Sequence, residues 1–250
     1  MLAVPVELDE IALLLDVDGT LLDLAATPRE VFVPESLRET LIRLQKGTDN
    51  ALALVSGRRI SDLDLIFAPL QLAIVGGHGA EIRVSPTGKV NRGRFAPLTD
   101  DIKRRFAAVA SANAGILIED KGFSVALHYR LAPEWETFVH TEVAAICESM
   151  PDMPLELLPG KAVLEIKSTG FDKGTGVRQL MRHAPFAGRR PVFIGDDTTD
   201  EAAFAVLPEL NGVGISVGRR VPGADACLEA PADVRQWLEQ ISHVQSTATS

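Results

Sequence analysis

The apolar positions of this chain fall mostly into short runs rather than an alternating pattern. Ile11 to Leu15, Ala51 to Val55, Leu72 to Val75 and Val192 to Ile194 are unbroken, and Val213 to Val217 is interrupted only by Gly214 and Ser216. Runs of this length bounded by polar turns predict strands of a parallel sheet, buried on both faces. A second period lies between them. Ser36 to Lys46 sets Leu37, Leu41 and Leu44 on one helical face, Ile60 to Phe67 follows Ser56-Gly57-Arg58, and Gly174 to His183 turns Val177, Leu180 and Met181 inward. Strand, helix, strand alternation implies right-handed βαβ units.

The middle of the chain follows another pattern. Thr99 to Ala112 predicts an amphipathic helix, and Gly115 to Glu119 with Phe123 to Tyr129 a hairpin around Asp120-Lys121-Gly122. Pro133 to Met150 predicts a second helix. Leu155 to Leu158 with Ala162 to Lys167 gives a second hairpin around Pro159-Gly160-Lys161. The chain is therefore expected to be α/β, with a Rossmann-like parallel-sheet core (1–98 and 169–250) interrupted by an inserted α+β domain of αββαββ order (99–168). Gln45 to Asn50 and Ser85 to Arg94 look like surface turns. The polar tail after Ser242 is expected to fray.

Composition narrows the classes. An apolar fraction of 46% over 250 residues suffices for a large core, and a net charge of −9 argues against nucleic acid as a partner. No apolar run reaches the roughly 18 residues of a membrane span, and the stretch from Met1 to Glu7 lacks the basic start of a leader. A cytoplasmic monomer is expected. Cys147 and Cys227 lie far apart with no CxxC spacing and read as small buried hydrophobes.

The candidate chemistry lies at the strand ends. Asp16-Val17-Asp18-Gly19-Thr20 follows the first run, Ser56-Gly57-Arg58 the second, and Gly195-Asp196-Asp197-Thr198-Thr199-Asp200 the fourth, while Lys173 opens a helix. Ligand sites of open α/β sheets lie beyond the carboxyl ends of the strands, so parallel strands would gather these groups at one edge. Two carboxylates at i and i+2 repel unless a cation or shared proton relieves them, and a hard divalent ion suits oxygen ligands. Each signal alone has a plainer reading: an Asp-rich turn, an ordinary loop, a solvated lysine, or an acidic helix start favoured by the dipole. Together they suit phosphoryl transfer through an aspartyl-phosphate, which demands positioning and positive charge.

In this order the segments resemble the four motifs of the haloacid dehalogenase superfamily of aspartate-nucleophile phosphatases, and the αββαββ insert is similar to that superfamily's C2-type cap. Gly76-Gly77-His78-Gly79-Ala80-Glu81, Glu119-Asp120-Lys121, His128-Tyr129-Arg130 and Gly160-Lys161 with Glu165-Ile166-Lys167 look like segments of its trehalose-phosphatase family. Gly77 stands where that family commonly has Ala or Asn.

The resemblance implies Mg²⁺-dependent hydrolysis of a phosphosugar, trehalose 6-phosphate. Asp16 would be the nucleophile, Asp18 the acid/base, and Ser56 and Lys173 the phosphoryl-holding groups. Asp16, Asp196 and the Asp18 carbonyl would hold the metal, with Asp197 and Asp200 behind them. Gly57, Arg58, His78, Glu119, Lys121, Arg130 and Glu165 would meet the substrate. The alternatives are another phosphosugar, such as a sucrose or glucosylglycerate phosphate, a mutase, or a non-catalytic sugar-phosphate-binding module. The last is disfavoured because both Asp16 and Asp18 are present. A salt-bridged exposed sheet face remains the plainer reading of the cap charges.

Overall fold

The computed structural model describes residues 7–25, 27, 30–93, 95 and 97–244. The chain divides into two compact units. One comprises the chain up to Leu24, Val31–Gly93 and the chain from Asp172 onward; the other comprises Ala25–Glu30 and Arg94–Phe171.

In the first unit the chain runs β1 (Ile11–Leu15), α1 (Glu35–Gly47), β2 (Leu52–Val55), α2 (Ile60–Phe67), β3 (Ala73–Gly76), β4 (Glu81–Arg83) and β5 (Asn91–Arg92). The second unit contributes α3 (Asp100–Ala110), β6 (Leu117–Asp120), β7 (Ser124–His128), α4 (Glu136–Glu148), β8 (Leu155–Gly160) and β9 (Val163–Ser168). The first then resumes with α5 (Lys173–Leu180), β10 (Arg190–Gly195), α6 (Glu201–Val206), β11 (Val213–Val217), β12 (Ala226–Leu228) and α7 (Pro231–Val244).

The core sheet has the order β12-β11-β10-β1-β2-β3-β4-β5, parallel from β12 to β3 and antiparallel beyond. Burial explains the unbroken apolar runs. Ile11, Leu13 and Leu15 of β1 pack into one cluster with Leu37 and Leu41 of α1 and Trp237 and Leu238 of α7. Ala12 and Leu14, on the opposite face, pack with Val177 and Leu180 of α5 and Phe204 of α6. Every β1 side chain is therefore buried. The chain moves from β1 to β2 and β3 on one side, then returns to place β10 on the other. β1 and β10 thus flank the topological switch point, where open α/β sheets bind their ligands.

The second unit is a four-stranded antiparallel sheet, β6-β7-β9-β8, with its own core. Val125 and Leu127 of β7 and Leu164 and Ile166 of β9 pack with Ile102 and Phe106 of α3 and Val139 and Val143 of α4. Alternation sends Glu119 and Glu165, in one row across Ala126, to the opposite face. Thr99 caps α3 by accepting the amide of Ile102, and Asp120 closes the first hairpin by accepting the amide of Gly122 at 2.8 Å.

Several details differ from the sequence expectations. The second unit spans Arg94–Phe171 together with Ala25–Glu30, against the expected 99–168. Phe95 and Phe171 stack at 4.7 Å, Phe123 meets Phe171 edge-on, and Lys167 donates to the Phe171 carbonyl at 2.6 Å. These contacts bind both crossing segments to the second unit. Within 85–94, Asn91–Arg92 pairs with β4 as a two-residue edge strand. β4, β12 and α7 are additional to the elements that the sequence pattern predicts. Cys147 and Cys227 are half-buried rather than buried, and the tail beyond 244 lies outside the described residues.

Leu14 is fully buried, so Leu14→Ala should destabilise the protein by about 2–5 kcal/mol. Urea unfolding should show a lower midpoint with an unchanged slope.

Candidate active site

The carboxyl ends of β1 and β10 bring acids and one ammonium together. Carboxylate oxygens of Asp16, Asp196 and Asp200, one from each, lie within 4.8 Å of one another, and all three residues are buried. Lys173 Nζ donates to Asp16 Oδ1 at 2.7 Å and to Asp200 Oδ1 at 2.6 Å. Lys173 is the first residue of α5, whose cap is Asp172. A buried cation at a helix N-terminus opposes the dipole, and the two carboxylates compensate for it. Burial works against the ammonium, but Asp16 and Asp200 outweigh it and raise its pKa, so Lys173 stays charged. Burial pushes the Asp16 carboxyl well above the usual carboxylate range; Asp200 and Asp196 add to this and Lys173 opposes it.

Asp200 is a support. Its Oδ2 accepts the amides of Asp196 at 3.0 Å and Asp197 at 2.9 Å, which fixes the loop after β10. The Asp197 side chain caps the following turn by accepting from Thr198 N at 2.7 Å and is not one of the three clustered carboxylates. Thr20, unassigned by the sequence reading, donates to Asp196 Oδ1 at 3.1 Å. Gly19 has φ +84°, and a Cβ there would overlap the Asp196 carboxylate, so glycine is required between the two acidic loops. The Asp16–Asp196 pair, crowded and hard in its donors, fits a divalent cation.

The second loop lies beside the first. Ser56 is buried, and its Oγ accepts the amide of Arg58 at 3.1 Å. Arg58 grips Asp18, with Nε to Oδ2 at 2.6 Å and a terminal nitrogen to Oδ1 at 2.7 Å. Their separation of 40 positions hid this pair from sequence reasoning. His78 is buried at φ +56°, and its ring fills the space a Gly57 side chain would need. Glu81, also missed, accepts the amide of Ile60 at the start of α2 at 3.1 Å.

In the second unit, Lys121 bonds Glu165 at 2.8 Å and lies 3.8 Å from Glu119, which meets His128 Nε2 at 2.9 Å. Arg130 donates to the carbonyls of Ala25 and Lys161.

A family model described as trehalose-phosphatase matches residues 14–226. The chain belongs to the trehalose-phosphatase family. It is 42% identical over 231 residues to a probable trehalose-phosphate phosphatase of Sinorhizobium fredii, covering 92% of this chain and 86% of that protein. It is 39% identical over 228 residues to the trehalose-6-phosphate phosphatase of Escherichia coli, covering 91% and 85%. In fold it is similar to the C-terminal domain of Candida albicans trehalose-6-phosphate phosphatase, with TM-score 0.82, 21% identity and 94% of each chain covered. Among the described residues, no helix is long and apolar enough to cross a membrane.

Lys173→Met leaves Asp16 and Asp200 buried without their ammonium. In metal-free urea unfolding at neutral pH it should cost about 3–5 kcal/mol. Adding Asp200→Asn to the same chain should recover part of that loss, since one uncompensated charge is then gone.

Proposed function

We propose that this trehalose-phosphatase family member hydrolyses trehalose 6-phosphate to trehalose and phosphate through an aspartyl-phosphate on Asp16. The observation that carries the reading is the buried Asp16 carboxylate at the end of β1, paired with Lys173 and two residues before a second carboxylate, Asp18. A phosphoryl group entering there meets a nucleophile, an ammonium and a candidate proton donor without rearrangement of the core.

Asp16 attacks phosphorus while Asp18 protonates the departing sugar oxygen. Asp18 then takes a proton from the water that opens the aspartyl-phosphate, the same group acting in both directions. Lys173, the Ser56 hydroxyl and backbone amides of the β1 loop hold the phosphoryl oxygens as their charge develops. Mg²⁺ held by Asp16, Asp196 and the Asp18 carbonyl would supply further positive charge to those oxygens. Asp200 keeps the Asp196 loop in place through its amides, as an outer support does for metal ligands. In the cap, Glu119, Lys121 and Glu165 offer charged donors and acceptors to a polyhydroxylated sugar. Arg130, a candidate sugar ligand by resemblance, also donates to the carbonyls of Ala25 and Lys161.

Phosphate release should be strongest with trehalose 6-phosphate across a phosphosugar panel, should need Mg²⁺ and should stop with EDTA. Activity only on other sugar esters would keep the core chemistry and discard the substrate. Asp16→Asn should fall to background; full turnover in that variant, with contaminating phosphatase excluded, would sink the nucleophile assignment.

Glu119→Ala should weaken trehalose 6-phosphate turnover and largely spare p-nitrophenyl phosphate, which offers no sugar to the cap. Equal losses on both esters would assign Glu119 to folding.

A further inference from the structure

Both oxygens of Asp18 are held by Arg58, in a two-point grip of 2.6 and 2.7 Å. The arginine side chain is 10% exposed and the carboxylate 31%. A guanidinium fork fixes the plane of a carboxylate as well as its position. Each carboxylate oxygen retains a further lone pair, so the grip leaves room for a travelling proton. The backbone at Arg58 is itself fixed. Its amide donates to Ser56 Oγ at 3.1 Å, its carbonyl accepts from Gly77 N at 2.8 Å, and the Ser56 carbonyl accepts from His78 N at 3.0 Å. The His78 ring closes the space over Gly57. The turn at Gly77–Gly79 therefore braces the loop from which Arg58 reaches the end of β1.

We propose that Arg58 is a positioning residue for Asp18 and not a ligand of the phosphosugar. The inference rests on the phosphatase reading above. In the first half-reaction the bond from Asp16 Oδ to phosphorus forms, the bond from phosphorus to the sugar oxygen breaks, and the Asp18 proton passes to that oxygen. In the second, water oxygen bonds to phosphorus, its proton passes to Asp18, and the bond to Asp16 breaks, releasing phosphate. Asp18 ends as it began. Both transfers need its carboxyl aimed at the same place, and a side chain free to turn on χ1 and χ2 is aimed there only part of the time.

The test compares Arg58→Lys, Arg58→Gln, Arg58→Ala and Asp18→Asn with the unchanged protein, each first checked for an intact unfolding transition. Trehalose 6-phosphate has a poor leaving group that needs the proton; p-nitrophenyl phosphate has a good one that does not. Positioned acid/base groups contribute about 10²–10⁴-fold. Arg58→Gln and Arg58→Lys should therefore both lower kcat for the sugar ester by about 10²-fold or more, with KM little changed. With p-nitrophenyl phosphate these variants should release a burst of nitrophenol and then slow, because the water step still needs Asp18. Guanidinium ion at a non-denaturing concentration should partly restore Arg58→Ala but not Arg58→Lys. A raised KM with unchanged kcat would make Arg58 a substrate ligand. Full activity in Arg58→Lys would reduce its role to charge. Either result overturns the proposal while leaving the phosphatase reading intact. An unchanged protein inactive on both esters would overturn that reading and this role with it.

Discussion

The site depends on one electrostatic constraint: three carboxylates and one ammonium buried at the ends of two neighbouring parallel strands. Desolvating charges costs several kcal/mol each, and attraction between them offsets this only when the geometry is tight and the remaining lone pairs are filled. Much of what surrounds the cluster meets that condition. Lys173 bridges Asp16 and Asp200, Asp200 takes two amides, and Thr20 takes one oxygen of Asp196. These bonds require β10 beside β1 in parallel register, with Leu15 opposite Ile194. The strand order and the charge cluster are therefore coupled. The apolar runs supply the driving force to form the sheet, and the cluster is specific to the crossover that brings β10 back next to β1. Three carboxylates against one ammonium still leave an excess of negative charge, and a hard cation would meet that excess.

What could be read in the sequence follows from the same division. The inner strands β1, β2, β3 and β10 are apolar runs because they are buried on both faces, so period and length located them; the short β4, β5 and β12 carry no such run. The first hairpin of the second unit showed through its turn residues, and Asp120 and Gly122 form the turn expected of them; in the second, Pro159 and Gly160 pair within β8 and the turn shifts to Lys161–Ala162. The acids at strand ends could be ranked because a parallel sheet implies where strand ends gather. Pairings across long separations could not be read this way. Nothing local distinguishes Arg58, which grips a carboxylate 40 residues earlier, from an arginine that binds substrate. Asp197 and Asp200 sit in one acidic stretch, yet the first caps a turn and the second anchors a loop. Arg130 is a candidate sugar ligand by its resemblance to a family segment, and nothing in the sequence shows that its guanidinium also meets two backbone carbonyls. Residue type and spacing name candidates; the direction of a side chain is set by tertiary structure.

The second unit shows the same economy with a different result. One face of its sheet packs on α3 and α4, and the other carries charges that already bond one another: Lys121 with Glu165, and Glu119 with His128. A sugar hydroxyl gains from such groups only the difference between its own hydrogen bonds and those it replaces. In the proposed reaction, discrimination would come from geometry, because a ligand that cannot match the donors and acceptors leaves buried polar groups unpaired. That suits the selection of one sugar among many better than it suits tight binding.

Local rules are broken where the proposed chemistry sits. A lysine is buried at a helix start against the dipole, a histidine holds a left-handed backbone at φ +56°, and a glycine is pressed against a carboxylate. Sequence-level preference would place none of these in a stable core, and each persists because its neighbours over-determine it. His78 braces the Ser56 loop, Gly19 lets the β1 loop approach Asp196, and Lys173 bridges two acids. In each case a locally unfavourable residue leaves a carboxylate or the loop beside it fixed before any substrate arrives. Such preorganisation is what phosphoryl transfer asks of a protein that forms and breaks few bonds itself.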